Sequence, residues 1–377
     1  MAKSLMLLSN PHRPDPRVLR EARALTGAGY EVELMAWDRE GEHPRTAVEG
    51  GIRVVRLGPR CPFRDPVRVL MRLPRFWFSA LKRARSEEFD VVHAHDFDTL
   101  PLGLLLARLN GQPVLYDAHE LYSKMISSEI GGLSGLMWPV ERWFANRADG
   151  VVTVNAPMAE TLSKRRRLPA RIVTNSPDPS VLNGCDRKDV REKYGLRGFV
   201  LSYLGSLEPG RFVEELVDAF PPAGGVTVAI GGNGTLMPLA ERASLHNPSV
   251  RFVGTVDTDE ALRITWASDL VVSMLDPANP NYRVSTPVKV LDAMASSRPV
   301  IISEGLDMAK TVQRVGCGFV IPYNRETFME TVGEAMQSPV LLAEMGEKGR
   351  AHFDRELSWT RSRDELLAAY RVLARTR

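Results

Sequence analysis

The chain has 377 residues, 44% hydrophobic and 25% charged, and its 49 basic and 46 acidic side chains leave a net charge of +3. That length suits two domains better than one core, and so balanced a charge gives no bulk argument for nucleic acid. No run approaches the ~20 apolar residues of a membrane span, the Leu5–Leu8 run is too short for a signal-peptide core, and Cys61, Cys185 and Cys317 have no paired spacing. The expectation is a soluble cytoplasmic protein with reduced thiols.

Apolar runs alternate with helical patterns along the chain, which predicts parallel α/β layers. In the first half, Leu5–Ser9 reads as a strand and Pro16–Gly27 as a helix with Val18, Leu19, Ala22 and Leu25 on one face. Strands Glu31–Ala36 and Ile52–Leu57, helix Val67–Arg85, strand Val91–Ala94 and helix Thr99–Leu109 follow. Strand Val114–Asp117, helix Trp138–Arg147 and strands Val151–Asn155 and Arg171–Asn175 lead to a polar, proline-rich linker beginning at Asn175. The rhythm then restarts with strand Phe199–Leu204, helix Val213–Phe220 and strand Val226–Ile230. Leu236–Ala243, Val250–Val253, Glu260–Ala267 and Leu270–Met274 continue it, and strand Gly318–Ile321 precedes two closing helices. Two such halves put a ligand in a crevice at the strand ends.

Several segments carry polar residues to those ends. In the Ser9–Trp37 segment, the loop contains His12 and Arg13, and Asp15, Arg17 and Glu21 either form a loop-fixing ion pair or touch a substrate. His93, His95, Asp96 and Asp98 cluster in Phe89–Gly103, but Phe97 breaks the HxHxDH zinc pattern, so no metal is assigned. Strand Val114–Asp117 delivers Asp117, His119 and Glu120, with Glu120 also a candidate helix cap. Pro66–Ser86 interleaves Arg68, Arg72, Arg75, Lys82, Arg83 and Arg85 with apolar and aromatic residues. It reads either as a plain surface helix or as a docking element for the anionic inner face of a membrane.

In the second half Gly205 marks a sharp turn at a strand end, and Arg211 follows as a phosphate ligand or a solvated cation. The glycine-rich turn Ala229–Gly234 lacks the full dinucleotide-binding spacing. The most telling stretch is Ser285–Ser303, reading STPVKVLDAMASSRPVIIS. A helix start with Lys289 favours an anion, and Asp292 one turn in suits sugar hydroxyls. That layout fits a nucleotide diphosphate-sugar.

This stretch resembles the donor signature of the family 4 retaining glycosyltransferases, P-x-K-x-x-[ED]-x-[ML]-A before G-x-P-V-I. Asp292 stands where glutamate is usual, and Val284 where many members carry another glutamate. The resemblance spans nearly the whole chain. It implies a GT-B fold, two Rossmann-like α/β domains facing each other across a cleft. Residues 1–177 would bind the acceptor and 178–357 the donor, and 358–377 would cross back as a helix. It further implies a retaining, metal-independent transfer of a sugar to a saccharide, lipid-linked or small-molecule acceptor, with no cofactor beyond the nucleotide-sugar. Catalytic roles fall to His119, Arg211 and Lys289. Donor contacts fall to Gly205, Ser206, Gly232, Gly254, Thr255, Ser285, Thr286, Pro287, Val288 and Asp292, and Asp269 is a cap. His12, Arg13, His95, Asp96 and Glu120 lie on the acceptor side. A sugar-nucleotide epimerase and a non-catalytic nucleotide-sugar binding partner are the alternatives.

Overall fold

The structure, a computed structural model, describes residues 1–12, 15–61, 66–85, 87–120, 134–164, 169–222 and 224–374, without side chains at 66–67 and 134–136. Two compact units make up the chain. One comprises Met1–Thr174 with Thr360–Arg377, the other Asn175–Trp359.

The first unit is built on β1 (Lys3–Leu8), β2 (Glu31–Trp37), β3 (Thr46–Glu49), β4 (Ile52–Leu57), β5 (Val91–His95), β6 (Val114–Ala118), β7 (Gly150–Thr153) and β8 (Arg171–Ile172). They form one sheet in the order β3-β4-β2-β1-β5-β6-β7-β8. Every pairing is parallel except β3 with β4. Strand β3 was not legible in the sequence, because its residues are largely exposed. It exists because Gly50 and Gly51 both take positive φ, the requirement of a tight two-residue hairpin turn. The sequence reading of β7 as running to Asn155 is also corrected. The Asn155 side chain accepts from the Met158 amide and caps a helix, Ala156–Ser163, that the reading missed.

Helix Pro16–Gly27 starts where Asp15 accepts from the Val18 amide and Pro16 takes the first turn. Its inner face holds Val18, Ala22 and Leu25 together with two charged residues, Arg17 and Glu21. Leu5, Leu7, Trp37, Phe76, Leu100 and Tyr116 belong to the core, where Trp37 stacks on Phe76 with ring centroids 5.2 Å apart. Helix Trp359–Ala374 is held on this unit by Tyr370 against Ser4, Ser362 against the Thr174 amide and Glu365 against Arg171.

The second unit contains β9 (Phe199–Leu204), β10 (Val226–Gly231), β11 (Val250–Phe252), β12 (Leu270–Ser273), β13 (Val300–Ser303) and β14 (Gly318–Ile321). Their order is β11-β10-β9-β12-β13-β14, all parallel. Chain order runs outward in both directions from β9 and β12, so the carboxyl end of β9 is a topological switch point. Open α/β sheets bind ligands there. The corresponding switch in the first sheet lies between β1 and β5. Three helices, Arg187–Tyr194, Pro280–Val284 and Asp307–Val315, add to those expected from the sequence, and three closing helices rather than two follow β14: Arg325–Met336, Pro339–His352 and Trp359–Ala374. Among the described residues no helix is long and apolar enough to cross a membrane.

Candidate functional site

In the second unit, Gly205 follows β9 with φ +140°, and Gly232 follows β10 with φ +135°. Any side chain at Gly232 would collide with the Gly205 carbonyl, so two backbones cross where only glycine fits. A Cβ on Gly205 would stand 3.3 Å from Lys289 Nζ, which places that ammonium directly over the turn. The Gly232 amide donates to the Gly254 carbonyl (2.9 Å), and the Thr255 hydroxyl to the Gly232 carbonyl (3.2 Å). Gly205, Gly232, Gly254 and Thr255 therefore form one cluster. The loop after β9 is pinned by the Tyr203 hydroxyl, which donates to the Ser206 carbonyl, and by the Phe212 amide, which donates to Tyr323.

Lys289 begins helix Val288–Ala295 and is 7% exposed. Its ammonium lies 4.1 Å from the centroid of the Tyr203 ring, and the Arg211 guanidinium lies 5.0 Å from that of Tyr282. Among the described residues neither cation has a hydrogen bond or a carboxylate within ion-pair distance, and Arg211 Nε is buried without a partner. Burial, and after it the charge on Arg211, presses Lys289 down to about 7, with Asp292 pulling the other way. The helix start has no side-chain cap on its amides, and Pro287 occupies the cap position. Ser285 bonds the Tyr282 carbonyl, and Val288 is 42% exposed beside it. Thr286 and Asp292 are partly buried in the same turn region. What this arrangement offers is two unneutralised cations, bare helix amides and a glycine floor, a setting for a diphosphate.

The first unit assembles a different kind of site. Register sets His95 on β5 opposite Asp117 on β6, and the period of two puts His93 on the same face. Asp117 accepts from Arg17 (2.7 Å from Nη2) and touches His119 Nε2 at 3.0 Å, while its Oδ2 stands 3.3 Å from His95 Nδ1. Arg17 also reaches Glu21 (3.0 Å) and the Val173 carbonyl (2.6 Å). The His119 amide donates to Asp96 Oδ1, and its ring Nδ1 lies 3.3 Å from Asp96 Oδ2. Behind them, Tyr370 joins His93 (3.1 Å) to Ser4 (2.7 Å).

Charge in this network is shared unequally. Burial opposes ionisation of Asp117, yet Arg17 and then His119 hold it well below the carboxylate range. Glu21, pushed by burial and by Asp117, rises to about 8 despite Arg17. Burial alone would lower His119, but Asp96 and then Asp117 lift it to about 10. Asp96 itself rises to about 7, chiefly through burial and against the pull of His119, so the two titrate as a pair with the imidazole the more basic member. His93 and His95 are kept neutral, chiefly by burial. Glu21, His93, His95 and Asp117 bring candidate ligand atoms within 4.8 Å of one another. Arg17 already holds both carboxylates, so these residues fit a divalent ion poorly.

Of the acceptor-side residues expected from the sequence, His95 is fully buried, and Asp96 and His12 adopt positive φ at the ends of β5 and β1. Glu120 is exposed, and Arg13 lies outside the described residues, as does the segment after Glu120 that it was a candidate to cap. Asp269, expected as a cap, has a structural place at the start of β12. It accepts from the Val200 amide and from Arg187 and Arg191. The reading of Asp15, Arg17 and Glu21 as one ion pair is refined: Arg17 and Glu21 pair, and Asp15 caps the helix. Sequence reasoning missed Tyr370 and Ser4, whose signal was only a tyrosine in an apolar helix face and a serine inside a strand.

Models of two families match the chain, "Glycosyltransferase Family 4" over residues 17–180 and "Glycosyl transferases group 1" over residues 198–338. No curated protein matches the chain by sequence. Among solved structures, a sucrose-phosphate synthase from Thermosynechococcus elongatus is similar over 100% of both chains, at 18% identity and a TM-score of 0.78. Anabaena HepE, in complex with UDP-glucose, is similar over 97% of this chain and 99% of its own, at 16% identity and a TM-score of 0.72. A trehalose-phosphate synthase from Burkholderia vietnamiensis is similar over 98% and 99%, at 14% identity and a TM-score of 0.68. The chain belongs to the family 4 glycosyltransferases of the GT-B fold.

Proposed function

We propose that the protein transfers a sugar, with retention of configuration and without a metal, from a nucleotide diphosphate-sugar to a saccharide, lipid-linked or small-molecule acceptor. The observation that carries this reading is the pair of unneutralised cations, Arg211 and Lys289, set at the strand ends of the second unit beside Gly205. Charge builds on the diphosphate as the glycosidic bond breaks, and fixed cations meet that demand without reorganisation. Two positive side chains supply the neutralisation that a metal provides elsewhere. The UDP-glucose bound by Anabaena HepE supports UDP as the first nucleotide to try.

In the first unit, His119 is the group offered to a sugar hydroxyl, which would take over its longer contact to Asp96, because both ring nitrogens already face carboxylates. Its carboxylate neighbours Asp96 and Asp117 favour the protonated ring, which argues against His119 as the base that activates the acceptor. The departing phosphate is assigned to accept that proton, which suits attack on the face the leaving group vacates; on the protein, Asp96, raised to about 7, has the matching acidity. A surface of the same unit suits a lipid-linked acceptor. Helix Pro66–Ala84 exposes Leu70, Met71 and Phe78 at 63%, 69% and 69%, with Arg75 and Lys82 exposed on the same helix, whose own sequence contains no Asp or Glu. Apolar wedges among cations fit an anionic bilayer.

The test is turnover. Purified protein is given UDP-sugars with lipid-linked and free acceptors, and the anomeric configuration of the product is read by NMR. A product of retained configuration, formed equally well in EDTA, is expected. An inverted product overturns the mechanism, loss of activity in EDTA overturns metal independence, and an isomerised nucleotide-sugar formed without acceptor favours an epimerase.

A further inference from the structure

The opposite edge of the second sheet holds another group of cations. The residues entering β9, β12 and β13 line a cavity of about 480 Å³, closed on one side by the start of helix Pro339–His352. That volume lies within the range of small-molecule sites, roughly 300–1,000 Å³. Arg187, Arg191 and Arg298 face it with one carboxylate, Asp269.

Asp269 is fully engaged by Arg187 (2.6 Å), Arg191 (2.8 Å) and the Val200 amide (2.8 Å). Arg187 and Arg191 are further fixed by the Ala267 carbonyl. Arg298 is left over. Its Nε is buried without a hydrogen-bond partner, and among the described residues it makes no ion pair. Burial, and next the charge on Arg187, lowers Arg298 to about 10, with Asp269 opposing. Arg298 is half-buried, and a cation partly stripped of water without a counter-charge carries a desolvation cost that a bound anion would offset. Three guanidiniums against one carboxylate leave two positive charges, matched by a phosphate dianion. Met336 and Pro339 add an apolar wall, and the helix that Pro339 opens has no side-chain cap on its first-turn amides.

We propose that this cavity binds a small phosphorylated molecule, with its phosphate on Arg298 and its less polar body against Met336 and Pro339. The site is separate from the diphosphate site. It lies at the amino ends of strands whose carboxyl ends carry Gly205, roughly 13–20 Å away for strands of four to six residues.

The test uses the full chain and calorimetric titration with inorganic phosphate, phenyl phosphate and benzoate. Phenyl phosphate should bind more tightly than phosphate or benzoate. Its affinity should fall by roughly tenfold or more in Arg298→Met, yet persist in Lys289→Ala, which disables only the diphosphate site. Without ligand, Arg298→Met should melt at a higher temperature than the parent, because an uncompensated charge is gone. Arg298→Lys, which keeps the charge but not the fork, should weaken binding and serves if the methionine variant fails to fold. Absence of binding to the parent, unchanged affinity in both Arg298 variants, or loss in Lys289→Ala overturns the site. Benzoate binding more tightly than phenyl phosphate overturns the phosphate assignment.

Discussion

Both units place charged side chains near the carboxyl ends of parallel strands, but they settle the charge in opposite ways. In the first unit Asp117 lies among Arg17, His95 and His119, so every ion has a counter-ion within hydrogen-bond reach. In the second, Lys289 and Arg211 have aromatic faces beneath them and, among the described residues, no carboxylate at ion-pair distance. A compensated network holds geometry, because removing one member strands the others. An uncompensated pair holds an appetite for an anion. The difference separates positioning from binding before any substrate is considered.

The sharpest way to break the comparison is Asp117→Asn. It leaves Arg17 buried without its main partner and should cost about 3–5 kcal/mol of stability by urea unfolding. A loss below about 1 kcal/mol would mean that the network does not hold this unit together. Lys289→Ala should do the reverse. Stability is held or raised, while UDP affinity drops by about 2–4 kcal/mol in titration calorimetry, and Arg211→Ala should follow it. Unchanged affinity in both removes the diphosphate clamp.

Acidity sharpens the contrast. Lys289 titrates near 7 in the empty site, so an anion must recruit a proton above that pH. UDP affinity should therefore fall as pH rises from 7 to 9, with proton uptake visible as a buffer-dependent binding enthalpy; a flat profile would contradict it. The smallest effect concerns His119. Its folded pKa lies above the unfolded value of 6.5, so its contribution is complete below that pH and fades as pH climbs through about 10. His119→Gln should accordingly lose most stability relative to the parent at pH 6 and least near pH 10. In activity, that variant should lose transfer far more than UDP affinity.

Much of this was legible from residue order. The alternation of apolar runs announced two α/β halves, because burial on both faces of a parallel sheet demands continuous hydrophobic strands. The donor signature from Ser285 onward rests on local chemistry, a helix start, a lysine and a strand, and such chemistry survives in one dimension. Short or exposed elements were not legible, β3 among them, since a hairpin set by two glycines carries no hydrophobic period.

The sequence by itself determined the layers, the glycine turns and the presence of Lys289, Arg211 and His119, because backbone sterics and apolar periodicity act over a few residues. Only the tertiary structure decided which charges meet. Asp117 finds Arg17 from 100 positions away and Tyr370 finds Ser4 from 366, whereas Arg298 finds no partner among the described residues. Pairing depends on strand register and helix packing, so the charge state of each group, and with it the work it can do, is a property of the assembled fold.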